Sequence, residues 1–249
     1  MNRSKSFVWQ SAGLTDTGNI RKVNEDSFLD SPDTGIWVVA DGMGGHDSGD
    51  VASKSVIDSL DALPSMSEID MFVEAAQDNL WDVNKELRLI ADNRGSQTTI
   101  GSTVALLLAI NGDCAVLWAG DSRVYRLRNG AIAAVTHDHS QVQEMVDKGL
   151  IKAADAESHP ASNIITRAIG AYENLVVDVK FDKIHAYDRY VICSDGLYKE
   201  VSESEIEQIM QSSNNINFVA SRLMELALSR GARDNVTVVA VEFSHKTKS

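Results

Sequence analysis

Cysteine is scarce in this chain: Cys114 and Cys193 are the whole complement in 249 residues. They stand far apart, each inside an apolar run, so the paired spacing of zinc sites and redox motifs is excluded. Both read as small core hydrophobes of a reducing compartment. Proline is nearly absent, with three residues, and no Ser/Gly-rich linker breaks the sequence, so neither a domain seam nor an internal repeat is visible. Long apolar runs are missing too. The longest, VALLLAI at 104–110, falls far short of the roughly 20 residues that a bilayer requires. The opening MNRSKSFVWQSAGL has basic residues but no apolar stretch of signal-peptide length. These absences predict a cytoplasmic protein with no membrane partner. Positive charge is in deficit, 23 Lys and Arg against 36 Asp and Glu, for a net charge of -13. That balance excludes the basic face on which nucleic-acid binding depends. An acidic chain can still handle phosphate where metal ions supply the positive charge.

What the sequence does contain is enough apolar material, 43% of residues, to bury a substantial core. Strand-like runs occur at 7–12, 27–30, 36–40, 100–110, 113–119, 122–127, 131–135, 175–181, 189–194 and 235–243. Tight turns such as NGD at 111–113 and RNG at 128–130 favour antiparallel hairpins. Helical signals come in two blocks. Ile69, Phe72, Val73, Ala76, Leu80, Val83, Leu87 and Ile90 recur at steps of three and four, which predicts a long helix after a shorter one over 49–60. Near the end, Ser202 and Glu205 have capping-box spacing, and a helix from about 215 to 229 stops before Gly231. Hairpin strands with helices in pairs predict an α+β fold, an α-β-β-α sandwich of two central, mainly antiparallel sheets flanked by helix pairs.

Acids recur where strands end or begin. WVVADGMGG runs an apolar strand into Asp41, YVICSDGL does the same at Asp195, AGDSRVY places Asp121 between two strands, and Asp234 and Asp26 each precede one. An isolated Asp-Gly reads equally well as a hairpin turn. If the strand ends share one end of the sheets, five carboxylates converge, and such a cluster is costly unless cations neutralise it. No His or Cys joins these acids at ligand spacing, so the site would be all oxygen, favouring Mg or Mn over zinc. Gly42, lacking a side chain, lets its carbonyl approach an ion. An EF-hand loop starting at Asp41 fails, because Met43 and Ala52 stand where carboxylates are needed. A P-loop fails as well, because Asp50 and Val51 replace its lysine and hydroxyl residue.

Taken together, TDTGNIRKVNEDSF, VVADGMGGHDSGDVAS, AGDSRVYRL, THDHSQVQEMVDKG, VICSDGLY and RDNVTVVAV resemble, in family order, the bacterial metal-dependent protein phosphatases of the protein phosphatase 2C type. The resemblance spans residues 13–243 and implies one catalytic domain over 1–244, with a flap at about 138–170 and a short polar tail at 245–249. It implies hydrolysis of phosphoserine and phosphothreonine on proteins by direct attack of a metal-bridging hydroxide, in opposition to a Ser/Thr kinase. The substrate would be a phosphorylated protein, such as the kinase or its targets. By motif, Asp41 would bridge two Mn or Mg ions, and the Gly42 carbonyl would bind the second. Asp195 and Asp234 would bind the first, and Asp26 would sit on the second, partly through water. Asp121, with Asp195, would hold a weaker third ion. Arg21 would grip the phosphate, since a guanidinium holds two phosphate oxygens in a fixed orientation. Glu25 and Asn235 would orient the ligands by hydrogen bonds.

One departure is from the eukaryotic pattern of the resemblance, in which a histidine follows the Asp-Gly pair and would protonate the leaving group: that position is Met43 here, which cannot donate a proton. Metal-bound water is then the expected general acid, with His46 a local structural residue. Asp138, His139 and Ser140 are expected to be loop and helix-start residues, and the Ser48 to Asp50 stretch a helix cap. Two rivals stand beside the phosphatase: a catalytically silent phosphoprotein-binding scaffold on the same fold, which loss of a metal ligand would mark, and a structural calcium sandwich, which leaves Arg21 unexplained.

Overall fold

Two two-residue turns set the strand pairing. Asn111 and Gly112 take φ of 53° and 93°, and Asn129 and Gly130 take 54° and 79°. Positive φ at both positions gives the turn whose twist matches flanking antiparallel strands. The computed structural model describes residues 7–44, 48–94 and 99–245. His46, and all of the polar tail beyond His245, lie outside the described residues.

In chain order the elements are β1 (Phe7–Asp16), β2 (Asp26–Ser31), β3 (Ile36–Gly44), α1 (Gly49–Asp61), α2 (Ile69–Arg94), β4 (Ile100–Ser102), β5 (Val104–Ile110), β6 (Asp113–Ala119), β7 (Arg123–Arg128) and β8 (Ala131–Ala134). There follow α3 (Gln141–Asp147), α4 (Ala153–Ala156), β9 (Asp178–Lys183), β10 (Arg189–Cys193), α5 (Asp195–Tyr198), α6 (Glu203–Ser212), α7 (Ile216–Ser229) and β11 (Val236–His245). One sheet has the order β1-β11-β10-β7-β8, the other β2-β3-β5-β6-β9 with β4 added to β3. The pairings are antiparallel throughout.

Alternation along each strand sends successive side chains to opposite faces. Trp37 and Val39 of β3 therefore enter the core between the sheets, against Val241 and Phe243 of β11. Trp37 meets Trp9 and Phe243 edge to face, with ring centroids 5.9 and 5.8 Å apart, a favoured arrangement of aromatic quadrupoles. Ile36, Val38 and Ala40 face the other way and pack under Val56 and Leu60 of α1 and Phe72, Leu80 and Leu87 of α2. Val238 and Ala240 of β11 are covered likewise by Ile206 of α6 and Val219 and Leu223 of α7. With both faces buried, the central strands are continuously apolar rather than alternating. The layers are helix pair, sheet, sheet, helix pair, as the sequence predicts.

The helix ends follow their caps. The Glu205 carboxylate accepts the Ser202 N–H at 3.1 Å, and Asn215 Oδ1 accepts from Asn217 N at 3.0 Å to open α7. Ser140 caps α3 by accepting from Gln143 N at 3.2 Å. Ser48 is the N-cap residue of α1, and its hydroxyl accepts a hydrogen bond from Arg94. Several boundaries differ from expectation, three of them near the acids or in the β6 ladder. β3 does not stop at Asp41 but continues to Gly44, because Gly42, Met43 and Gly44 pair with β4. The apolar run 100–110 is broken at Thr103, whose N–H and hydroxyl turn aside to the Asp41 backbone. The run expected at 175–181 forms its strand at Asp178–Lys183, where the β6 ladder provides partners.

Among the described residues, no helix is long and apolar enough to cross a membrane. The register gathers strand ends at one edge of the sandwich. Asp16 pairs with Val236, Cys193 with Val238 and with Arg123, Asp26 with Asp41, and Val104 with Ala119. Every strand end that carries a singled-out acid lies at this edge.

Candidate metal centre

Asp26 opens β2 and is 6% exposed. Its Oδ2 accepts hydrogen bonds from the hydroxyls of Ser194 and Thr237, both at 2.7 Å, which ties the two sheets together. Asp41 is its direct partner across the β2 and β3 ladder. The Asp41 backbone is held from both sides, its N–H donating to Thr103 Oγ1 at 3.0 Å and its carbonyl accepting from Thr103 N at 2.8 Å. Thr103 Oγ1 also meets Ser122 Oγ at 2.7 Å, beside Asp121 in the turn after β6. Asp121 and Asp195 are 3% and 9% exposed, and Asp195 is the first residue of α5. Asp234 precedes β11 and is partly exposed, its Oδ2 accepting from the Arg21 guanidinium at 2.7 Å.

Glycine at position 42 is enforced by packing. A Cβ there would stand 1.9 Å from the Gly49 carbonyl oxygen and 2.6 Å from that of Glu25. The absent side chain thus brings the start of α1 against β3, while Glu25 Oε1 accepts from Gly49 N at 3.2 Å. Asn235 holds the loop before β2 that carries Arg21 and Glu25. Its Oδ1 accepts from Glu25 N at 2.8 Å, and its Nδ2 donates to the carbonyls of Thr17 and Val23 at 2.9 and 3.0 Å.

The carboxylates act on one another. Burial pushes the Asp41 carboxyl well above its ordinary range, and the charges of Asp26, Asp195, Asp121 and Asp234 push it further. Asp26 is raised to about 7 by burial, against its two hydroxyl donors, with Asp195 and Asp234 adding to the rise. Asp121 is raised to about 7 by burial and by Asp195 and Asp138, with Lys199 opposing. Arg21 is raised by its hydrogen bond to Asp234, with smaller contributions from Glu25 and Asp41. Each of the five acids therefore lies within electrostatic reach of others in the set.

Among the described residues, three buried carboxylate oxygens, Oδ1 of Asp26, of Asp121 and of Asp195, have no hydrogen-bond partner. Buried polar atoms are rarely left so, and a hard, oxygen-seeking divalent cation suits this donor set in charge and type. The arrangement is nonetheless looser than a closed coordination shell: among the described residues, no three His, Cys, Asp or Glu side chains are grouped to hold one ion. Asp234 is turned to Arg21, and Asp195 to Lys199 at 2.5 Å. Like charges that would otherwise repel are spread onto cations and hydroxyls of the chain.

Sequence reasoning missed Lys199, the hydroxyls of Thr103, Ser194 and Thr237, and the groove beside the cluster. Lys199 follows Asp195 by one helical turn, a spacing that signals an ion pair, but hydroxyls that support carboxylates from distant strands leave no local signal. The groove, ≈ 520 Å³, is lined by Arg21, Asp234, Lys199 and Arg233 and by Ser162 and Asn163 of the expected flap. Asp138, His139 and Ser140 are loop and helix-start residues, as the sequence predicts. Asp138 holds Arg123 at 2.8 Å, and His139 accepts from Gly120 N at 3.2 Å.

Residues 20–229 match the protein phosphatase 2C family. A serine/threonine phosphatase, stp, of Listeria innocua is 36% identical over 238 residues, covering 92% of this chain and 93% of its own. The structure of PppA, a regulatory component of the type VI secretion system in Pseudomonas aeruginosa, superposes with a TM-score of 0.88 at 40% identity, over 96% of this chain and all of that one. The catalytic domain of the serine/threonine protein phosphatase PstP, solved with two manganese ions, superposes with a TM-score of 0.84 at 32% identity, over 96% of this chain and 100% of that one.

Proposed function

The chain belongs to the protein phosphatase 2C family and is a serine/threonine phosphatase, and we propose that it hydrolyses phosphoserine and phosphothreonine of proteins at the Asp26, Asp41, Asp195 and Asp234 cluster. The supporting observation is the set of buried aspartate oxygens without partners at the sheet edge where Arg21 stands. Asp41 would bridge two Mn or Mg ions, the Gly42 carbonyl and Asp26 would complete one, and Asp195 and Asp234 the other. Bound ions of this kind make water nucleophilic near neutral pH and offset charge that builds on a phosphoryl group.

The chain's own residues do the rest. Arg21, half exposed at the groove, offers a planar fork of donors to two phosphate oxygens. Asn235 fixes the Arg21 loop to the start of β11, so the phosphate grip and Asp234 keep one relative position. Ser194 and Thr237 hold one Asp26 oxygen and leave the other free for an ion. The groove would receive the peptide that carries the phosphate, with residues about 138–170 as the flap that selects it and a Ser/Thr kinase or its targets as substrate. A silent scaffold has no support, since the five aspartates and Arg21 are all in place and the relatives are named phosphatases.

The test is phosphate release from a phosphothreonine peptide, with manganese and then with chelator, in wild type and Asp195→Asn. Turnover that needs manganese and nearly vanishes in the variant is the expected result. Equal rates in both proteins would remove Asp195 from the mechanism.

A further inference from the structure

Asp195 divides its two oxygens. Oδ2 accepts from the Lys199 ammonium at 2.5 Å, while Oδ1 is buried with no hydrogen-bond partner. Lys199 has a second acceptor in the side-chain oxygen of Asn163 at 2.7 Å, in the expected flap, and its own N–H donates to the Asp195 carbonyl at 3.0 Å. Its side chain is largely covered, 23% exposed. Asp121, the other acid on this side, is 3% exposed and has a buried oxygen without a partner among the described residues.

We infer that the Lys199 ammonium is a resident counter-ion on the Asp121 and Asp195 side of the cluster, occupying the place that a third divalent ion would need, so that this chain takes up two ions rather than three. The phosphatase resemblance implies a weaker third ion on these same two acids. Such an ion would need the Asp195 oxygen that Lys199 holds, and it would stand beside an ammonium of like charge in a partly buried setting, where repulsion is little screened. The Asp195 oxygen without a partner stays available to the ion pair. A lysine is suited to the task because its compact charge on a flexible stem reaches two acceptors from one position. The inference rests on the assignment of Asp41, Asp195 and Asp234 to two ions.

Equilibrium dialysis against millimolar Mn²⁺, with bound metal counted by atomic absorption, tests it on the full chain. Wild type and Lys199→Arg should each bind two ions, and Lys199→Met should bind a third at the same concentrations. A third ion in wild type overturns the inference whether or not the variants fold. Two ions in wild type and also in a Lys199→Met protein with a native melting transition overturn it while leaving the two-ion reading intact. No bound ion in wild type overturns both.

Discussion

Asp26 and Asp41 stand directly opposite each other across the β2 and β3 ladder, at the edge where both sheets end. Like charges in such a pair destabilise a sheet, and burial of the Asp26 carboxylate adds to the cost. Asp41→Asn should therefore stabilise the chelated protein by about 1–3 kcal/mol. In saturating manganese the order should reverse, because wild type gains more from binding ions in the folded state. Urea unfolding of both proteins in each condition is the measurement, and a variant less stable in chelator would contradict the repulsion.

The same burial sets a pH dependence. Asp26 and Asp121 have folded-state values of about 7, raised above the ordinary 3.8 chiefly by burial. The unfolded chain thus releases these protons first, so stability is undiminished below the unfolded value and is lost as pH rises towards the folded one. In chelator, the urea midpoint should fall between about pH 4 and about pH 7 and then level off. Manganese should suppress the fall. A midpoint that rises over that window in chelator would be the opposite sign.

Arg21 donates to Asp234 at 2.7 Å while its side chain remains half exposed. A phosphate would meet a guanidinium already oriented by that carboxylate. Replacing Arg21 with Ala should lower kcat/KM by about 10- to 100-fold, the worth of a charge-assisted hydrogen bond. Lysine should restore little, because it lacks the fork. Steady-state kinetics on a phosphothreonine peptide measure both, and wild-type kcat/KM in either variant would take Arg21 off the substrate.

Asn235 makes three hydrogen bonds to the backbone at Thr17, Val23 and Glu25. Asn235→Ala should cost about 1–3 kcal/mol by leaving buried groups without partners, and should lower activity by loosening the Arg21 loop. Asn235→Asp should fail similarly, since a carboxylate cannot donate to the two carbonyls. A thermal melt with a kinetic assay decides it, and an aspartate variant equal to wild type in both would refute the role.

Much of this architecture is legible in residue order. The Phe72 to Leu87 stripe of α2, the Asn-Gly turns and the two capped helices are local signals, and they appear where the pattern places them. The acids at strand ends were legible as a set, because one sheet edge collects them. Less legible was what each acid touches. Thr103 interrupts an apolar run that reads as one strand, since its partner Asp41 lies 62 residues away. The extension of β3 to Gly44 depends on β4, more than 50 residues later in the chain, which no local pattern announces. Asp195 also meets Lys199 and Asp234 meets Arg21, and the second of these pairs spans 213 residues of chain.

Crystals grown or soaked in manganese and measured at its absorption edge give the most direct check on the central claim, that these strands bring aspartate oxygens together to hold divalent ions. Two anomalous peaks are expected at the β2, β3, α5 and β11 edge, one against Asp41, Asp195 and Asp234 and the other against Asp41, Asp26 and the Gly42 carbonyl. Well-ordered density for these residues with no anomalous peak among them would contradict it.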